Sequence, residues 1–170
     1  LNLSDCTSRD QCLQRIAAES ARLDAAREPG WLLASGVRTE SWTPGAASWP
    51  TIGELDRACP RRPCMTGSFD HHACAVNSSA MAAAGFSRSS PDPDGGRIVR
   101  DSRGELTGLL LEAAFGAMRR AVPTPSRDQL KRAVKAAVDD LAAHGFVEVH
   151  DLLSEPWLGP VLAELSAAGE

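Results

Sequence analysis

The chain has 170 residues, enough for one domain or slightly more. It is 43% hydrophobic and 24% charged, so it can bury a core and does not have a disordered composition. Lys plus Arg number 18 against 22 Asp plus Glu, and the net charge of -4 argues against a nucleic-acid binder with a broad basic face.

In chain order, Asp5 to Arg27 reads as a helix. It carries Ser8-x-x-Gln11 as a capping box, and Leu13, Ile16, Ala17, Ser20 and Leu23 lie on one stripe before Glu28-Pro29-Gly30 stops it. Trp31 to Val37 reads as a short buried strand, and Thr39 to Pro50 as a loop whose Trp42 and Trp49 should pack on something. Thr51-x-x-Glu54 opens a second helix, and a strand is expected near Cys64 to Phe69. Asn77 or Ser78 caps a helix of small residues ending at Gly85. Pro91 to Gly96 is a turn, Arg97 to Arg100 a strand, and Asp101 to Gly104 a tight hairpin turn. Thr107 to Ala121 reads as an almost wholly apolar helix. Ser126-x-x-Gln129 starts another, with Leu130, Val134, Val138 and Leu141 on one face. After Gly145, Phe146 to His150 alternates like a strand, and Pro156 to Ala168 is a last short helix. Alternating strands and helices give an α/β or α+β class.

The chain contains no apolar run near the roughly 18 residues a membrane span needs. It opens Leu1-Asn2-Leu3 with neither an initiator Met nor a secretory signal, the pattern expected of an excised segment. Five cysteines are an odd number, so reduced thiols in the cytoplasm are expected instead of a disulfide scaffold.

Three places could carry chemistry. Asp70-His71-His72 follows a strand directly, where functional groups often sit, although one His could cap a turn and the other be solvated. Glu112 lies in an apolar stretch with no cation three or four residues away. It is therefore either the exposed position of its helix, or buried against an Arg, a His or a metal from elsewhere in the fold. His150-Asp151 ends a strand, the place where α/β folds bind ligands, and His150 could equally be structural. A small zinc module of Cys59, Cys64, Cys74 and His71 or His72 is a further reading. The prolines beside Cys59 and Cys64 stiffen the wrong geometry for it. Phosphate-loop, dinucleotide and nucleophile-elbow motifs are absent, and so are His-x-His and HExxH.

Asp70-His71-His72-Ala73-Cys74-Ala75-Val76-Asn77-Ser78 resembles the D-G-H-x-A-x-V-N-S segment of the amidohydrolase family 3 branch (YtcJ-like) of metal-dependent hydrolases, with His71 in place of the usual Gly. Further motifs follow in the family's order. Pro50-Thr51 through Leu55-Asp56, Pro60-x-x-Pro63 and Gly95 to Asp101 are similar to it, as are Gly104 to Glu112 and Gly145 to Asp151. Near Gly36-Val37-Arg38 the sequence departs from the family's G-W-D and following W, since only Gly36 and Trp42 correspond.

The resemblance implies a (β/α)-barrel hydrolase with this chain as its insertion domain and part of the early barrel strands and helices. Residues 1-125 would form the insertion and 126-170 a helix-strand-helix of the barrel. It implies hydrolysis of non-peptide C–N bonds in a small amide-like molecule by metal-activated water, with a divalent metal, zinc by expectation. Glu112 would face the metal, while Asp70, His72, His150 and Asp151 would line the substrate pocket. The remaining metal ligands and the catalytic Asp would lie outside these residues, so the isolated chain should be inactive. A non-catalytic binding domain that retains the insertion fold is the rival reading. A homo-oligomer stays open.

Overall fold

The structure is a computed structural model that describes residues 1–42, 48–152 and 154–169. It divides into two compact units, Leu1–Val122 and Pro123–Glu170.

The first unit is an open five-stranded sheet with helices on both faces. Helix α1 (Arg9–Ala25) starts at Ser8, whose side chain accepts the Gln11 N–H. The expected box is displaced by one residue, because the Gln11 side chain accepts from the Thr7 N–H at 2.7 Å instead of from Ser8. Strand β1 (Leu32–Val37) follows, then helix α2 (Ile52–Ala58), whose Thr51–Glu54 capping box is complete in both directions. Of the loop between them, Thr43–Ala47 lie outside the described residues. Trp42 is buried with its indole N–H donating to the Cys6 carbonyl at 3.1 Å, and Trp49 packs partly buried against the same core.

Strands β2 (Cys64–Ser68) and β3 (Ala73–Val76) form a hairpin, and Asn77 caps α3 (Ser78–Ala83) before Gly85 turns at φ 71°. Strands β4 (Gly96–Arg100) and β5 (Leu106–Glu112) form a second hairpin, followed without a loop by α4 (Ala113–Ala121). The sheet order is β1-β2-β3-β5-β4, with β1 and β2 parallel and the other three pairings antiparallel. The carboxyl ends of β1, β2 and β5 therefore meet at one end of the sheet, beside the start of β3.

Alternation along β3 divides the core. Ala75 packs with Ile16, Leu32 and Leu55 beneath α1 and α2, while Cys74 and Val76 pack with Leu110, Phe115 and Met118 beneath α3 and α4. The two layers bury the sheet from both sides, as expected for an α/β domain.

Residues 106–112 correct the helix expected over Thr107 to Ala121. An apolar run of this kind satisfies strand and helix alike. Here the backbone of β5 pairs with β3 on one side and β4 on the other, which fixes the strand form as far as Glu112. Gly108, at φ 92°, makes this possible: a Cβ there would sit 2.6 Å from the Val76 carbonyl oxygen.

The second unit contains α5 (Arg127–Ala143), with a complete Ser126–Gln129 capping box, and α6 (Leu158–Ala167). Leu130 and Val134 meet Val161 and Leu165, while Val138 at the far end of the stripe is 47% exposed. The strand expected over Phe146 to His150 is not formed. Val147 is fully exposed, and no described strand lies alongside to accept or donate the ladder hydrogen bonds that a strand requires.

Candidate functional site

The chemistry gathers where the β2–β3 turn meets the end of β5. Asp70 anchors the turn, because its Oδ1 accepts from the Ser68 hydroxyl and, at 3.1 Å, from the His72 backbone N–H. The same Ser68 hydroxyl oxygen accepts the Ala73 N–H at 3.0 Å. These hydrogen bonds, the Ser68 one foremost, hold the Asp70 carboxyl below the usual carboxylate range. His71 takes φ 62°, at the position where the resembling family has Gly. Asp70 thus shapes the turn and His72 emerges from it.

His72 Nδ1 lies 2.8 Å from Glu112 Oε2, and the backbones also join, with the Glu112 N–H donating to the His72 carbonyl at 2.8 Å. The hydrogen bond to the Glu112 carboxylate, supported by its charge, raises the His72 pKa above its ordinary value near 6.5. Both side chains are more than half exposed.

Glu112 is the most constrained residue of the group. It ends β5 and opens α4 in one step, at φ 51° and ψ -119°, a conformation that side chains rarely adopt. Gly96, opposite Glu112 in the β4–β5 ladder, makes room for this turn: a Cβ there would stand 2.5 Å from the Ala114 nitrogen. Such strain persists only when the surroundings impose it, and it concentrates at functional positions. The earlier alternatives for Glu112 resolve in part, since it is exposed, on a strand end instead of a helix face, and paired with a His from another element.

Two of the other expected site residues lie in the second unit. His150 and Asp151 belong to the second unit, where His150 Nε2 lies 3.2 Å from Glu148 Oε1 and Asp151 accepts from the Ser154 hydroxyl at 3.0 Å. The small zinc module is not assembled. Cys59, Cys64 and Cys74 are fully buried, with Cys74 in a different core layer from the other two, while both candidate His ligands are exposed. Among the described residues no three His, Cys, Asp or Glu side chains converge on a point that could hold a metal.

A feature not legible in the sequence lies at the same sheet end. Arg38, just past β1, places its guanidinium carbon 3.8 Å from the centroid of the Phe69 ring, just past β2. Neither residue shows a motif, and only the parallel β1–β2 pairing brings them together.

Many of the motif residues prove to be architectural. Asn77 Oδ1 accepts from the Cys64 and Ala80 N–H groups, and its Nδ2 donates to the carbonyls of Cys59 and Arg62. Asp56 accepts from the Ser78 N–H and hydroxyl, and Asp101 accepts the Arg103 and Glu105 N–H groups in the β4–β5 turn.

A mixed sheet layered by helices in this order has counterparts in fold among solved structures. An uncharacterized metal-dependent hydrolase from Pyrococcus horikoshii OT3 superposes with a TM-score of 0.65 at 18% identity, over 99% of this chain and 30% of that one. A second such hydrolase, from Pyrococcus furiosus, gives 0.62 at 18% identity, over 99% and 31%. The sequence pattern of the Amidohydrolase family matches residues 1–168, and the chain belongs to that family. It is 39% identical over 151 residues to the putative amidohydrolase YtcJ of Bacillus subtilis (strain 168), covering 88% of this chain and 27% of YtcJ. It is also 30% identical over 125 residues to the N-substituted formamide deformylase of Arthrobacter pascens, covering 71% and 23% respectively. The chain thus spans about a quarter of the length of these relatives.

Proposed function

We propose that this chain is a segment of a metal-dependent hydrolase that cleaves non-peptide C–N bonds in small amide-like molecules, and that the 170 residues alone are inactive. The observation that carries the reading is the strained Glu112, held beside His72 at the sheet end. Its support is the family membership, together with a relative whose name is a deformylase of N-substituted formamides.

The donor chemistry at this end suits a divalent cation. Glu112 Oε1 has no partner among the described residues, so one carboxylate oxygen is free while Oε2 engages His72. The donor number falls short, because a catalytic zinc site takes three protein ligands and this cluster offers at most two. Glu112 would contribute one ligand of a set completed by residues outside the cluster. When bound, such a metal would supply a water of lowered pKa and polarise the substrate carbonyl. The chain's own residues do the rest. The turn at Glu112 holds its carboxylate beside His72, and Asp70 fixes the turn that presents His72. The Glu112 carboxylate raises the His72 pKa and so favours the protonated ring, the form that can hand a proton toward a departing amine.

His150 and Asp151 are proposed as substrate-pocket residues of the complete protein, where residues 126-170 would contribute a helix-strand-helix to a barrel and 1-125 an insertion. A reducing, cytoplasmic setting is supported by five free, buried thiols. Among the described residues no helix is long and apolar enough to cross a membrane.

The test compares the 170-residue chain with the full-length protein that carries it. Metal content is measured by mass spectrometry, and hydrolysis of N-formyl and N-acetyl amines is followed with and without a chelator. The full-length protein should hold metal and lose activity on chelation, and the short chain should do neither. A metal-loaded full-length protein inert toward every amide, or chelator-sensitive amidase activity in the short chain, would overturn the reading.

A further inference from the structure

Arg38 sits at the same end of the sheet as Glu112 and His72, exposed, and outside everything assigned above. Its guanidinium carbon lies 3.8 Å from the Phe69 ring centroid, a separation that lays the guanidinium against the ring face. The Phe69 N–H donates to the Val37 carbonyl at 3.1 Å, so the backbones carrying both side chains are tied together. Phe69 is itself 41% exposed. Among the described residues no carboxylate pairs with Arg38. At this sheet end Asp70 is engaged by Ser68 and the His72 N–H, and Glu112 by the His72 ring. An arginine stacked through its face keeps its edge donors free, and those donors match a carboxylate in a two-pronged fork.

From β1 to β5 the sheet crosses β2 and β3, so the two backbones stand about 14 Å apart at the usual strand spacing.

We infer that Arg38, stacked on Phe69, is the specificity-determining residue that binds a substrate carboxylate, so that the amide cleaved at this site carries a free acid. The inference rests on the proposed hydrolase reading for the word substrate, but the anion site itself can be tested independently.

The probes are N-acetylglycine and its methyl ester, which differ in the acid alone. Binding to the full-length protein is measured by calorimetric titration at low and high salt, and kcat and KM are measured for both. The acid should bind at least ten-fold more tightly than the ester, with the preference shrinking in salt. Arg38→Gln should abolish the preference by raising KM for the acid to that of the ester, and Phe69→Leu should weaken it partially. Equal affinity for acid and ester, or a preference that survives Arg38→Gln, overturns the inference. If the metal-loaded full-length protein is inert toward every amide while Arg38-dependent binding of the acid persists, the hydrolase reading fails and the carboxylate site stands.

Discussion

Glu112 brings two separable effects to one position. Its carboxylate raises the His72 pKa, and its backbone holds a strained conformation that glycine would adopt freely. Glu112→Gln should therefore return His72 to its ordinary range, read by NMR titration of the imidazole. An unchanged His72 titration would show that the pair is not formed in solution. The sign of the linkage follows from the raised pKa. The His72–Glu112 pair contributes fully to stability below the ordinary histidine value, and that contribution is lost as pH rises through the elevated folded-state value. Glu112→Gly tests the strain. A non-glycine residue in such a conformation costs roughly 1–3 kcal/mol, and glycine's own entropy loss takes back roughly 0.5–1 kcal/mol. The variant should be more stable by on the order of 1 kcal/mol in urea unfolding, even as it loses the carboxylate. A stability gain from deleting a charged side chain is the mark of a residue kept for its chemistry.

At the scale of elements, Asn77 is the joint of the first unit. One buried side chain caps α3 through the Ala80 N–H, holds the start of β2 through the Cys64 N–H, and closes the α2–β2 connection through the carbonyls of Cys59 and Arg62. Asp56 adds a second link from α2 to Ser78. Removing a buried partner leaves the groups it satisfied stranded at roughly 1–3 kcal/mol each. Asn77→Ala should thus cost about 3 kcal/mol or more in equilibrium unfolding, and a loss below about 1 kcal/mol would mean that water replaces the amide. The order of elements explains why this joint matters to the site. The β2–β3 hairpin presents His72, and Asn77 secures the opposite end of that hairpin.

For the molecule as a whole, the five thiols report on the integrity of both core layers. Cys6, Cys12, Cys59 and Cys64 pack beneath α1 and α2, and Cys74 packs beneath α3 and α4. Burial drives the Cys74 thiol pKa well up, and desolvation also leads in raising Cys12, to about 12. Cys59 is lowered to about 7, chiefly by a hydrogen bond from Cys64, yet it is fully buried. In the native protein none of the five should react promptly with a thiol reagent such as dithionitrobenzoate, and all five should react on unfolding in urea. Prompt labelling of any one in the native state would mean that its core layer opens readily.

Local chemistry was enough to locate most elements of this protein. The boxes at Thr51 and Ser126, the cap at Asn77 and the turns at Gly85 and Gly104 all lie where short-range hydrogen bonding and positive φ demand them. The ordered motifs were also enough to point to the family. Sequence could not decide between strand and helix at residues 106–112, because that apolar run satisfies both periods and only its neighbours β3 and β4 select one. For the same reason an alternating pattern at Phe146 to His150 yields no strand without a partner to pair with. The His72–Glu112 and Arg38–Phe69 contacts were likewise beyond reach. Each joins residues some 30 to 40 positions apart, and such proximity is a property of strand order, which no local pattern of residues encodes.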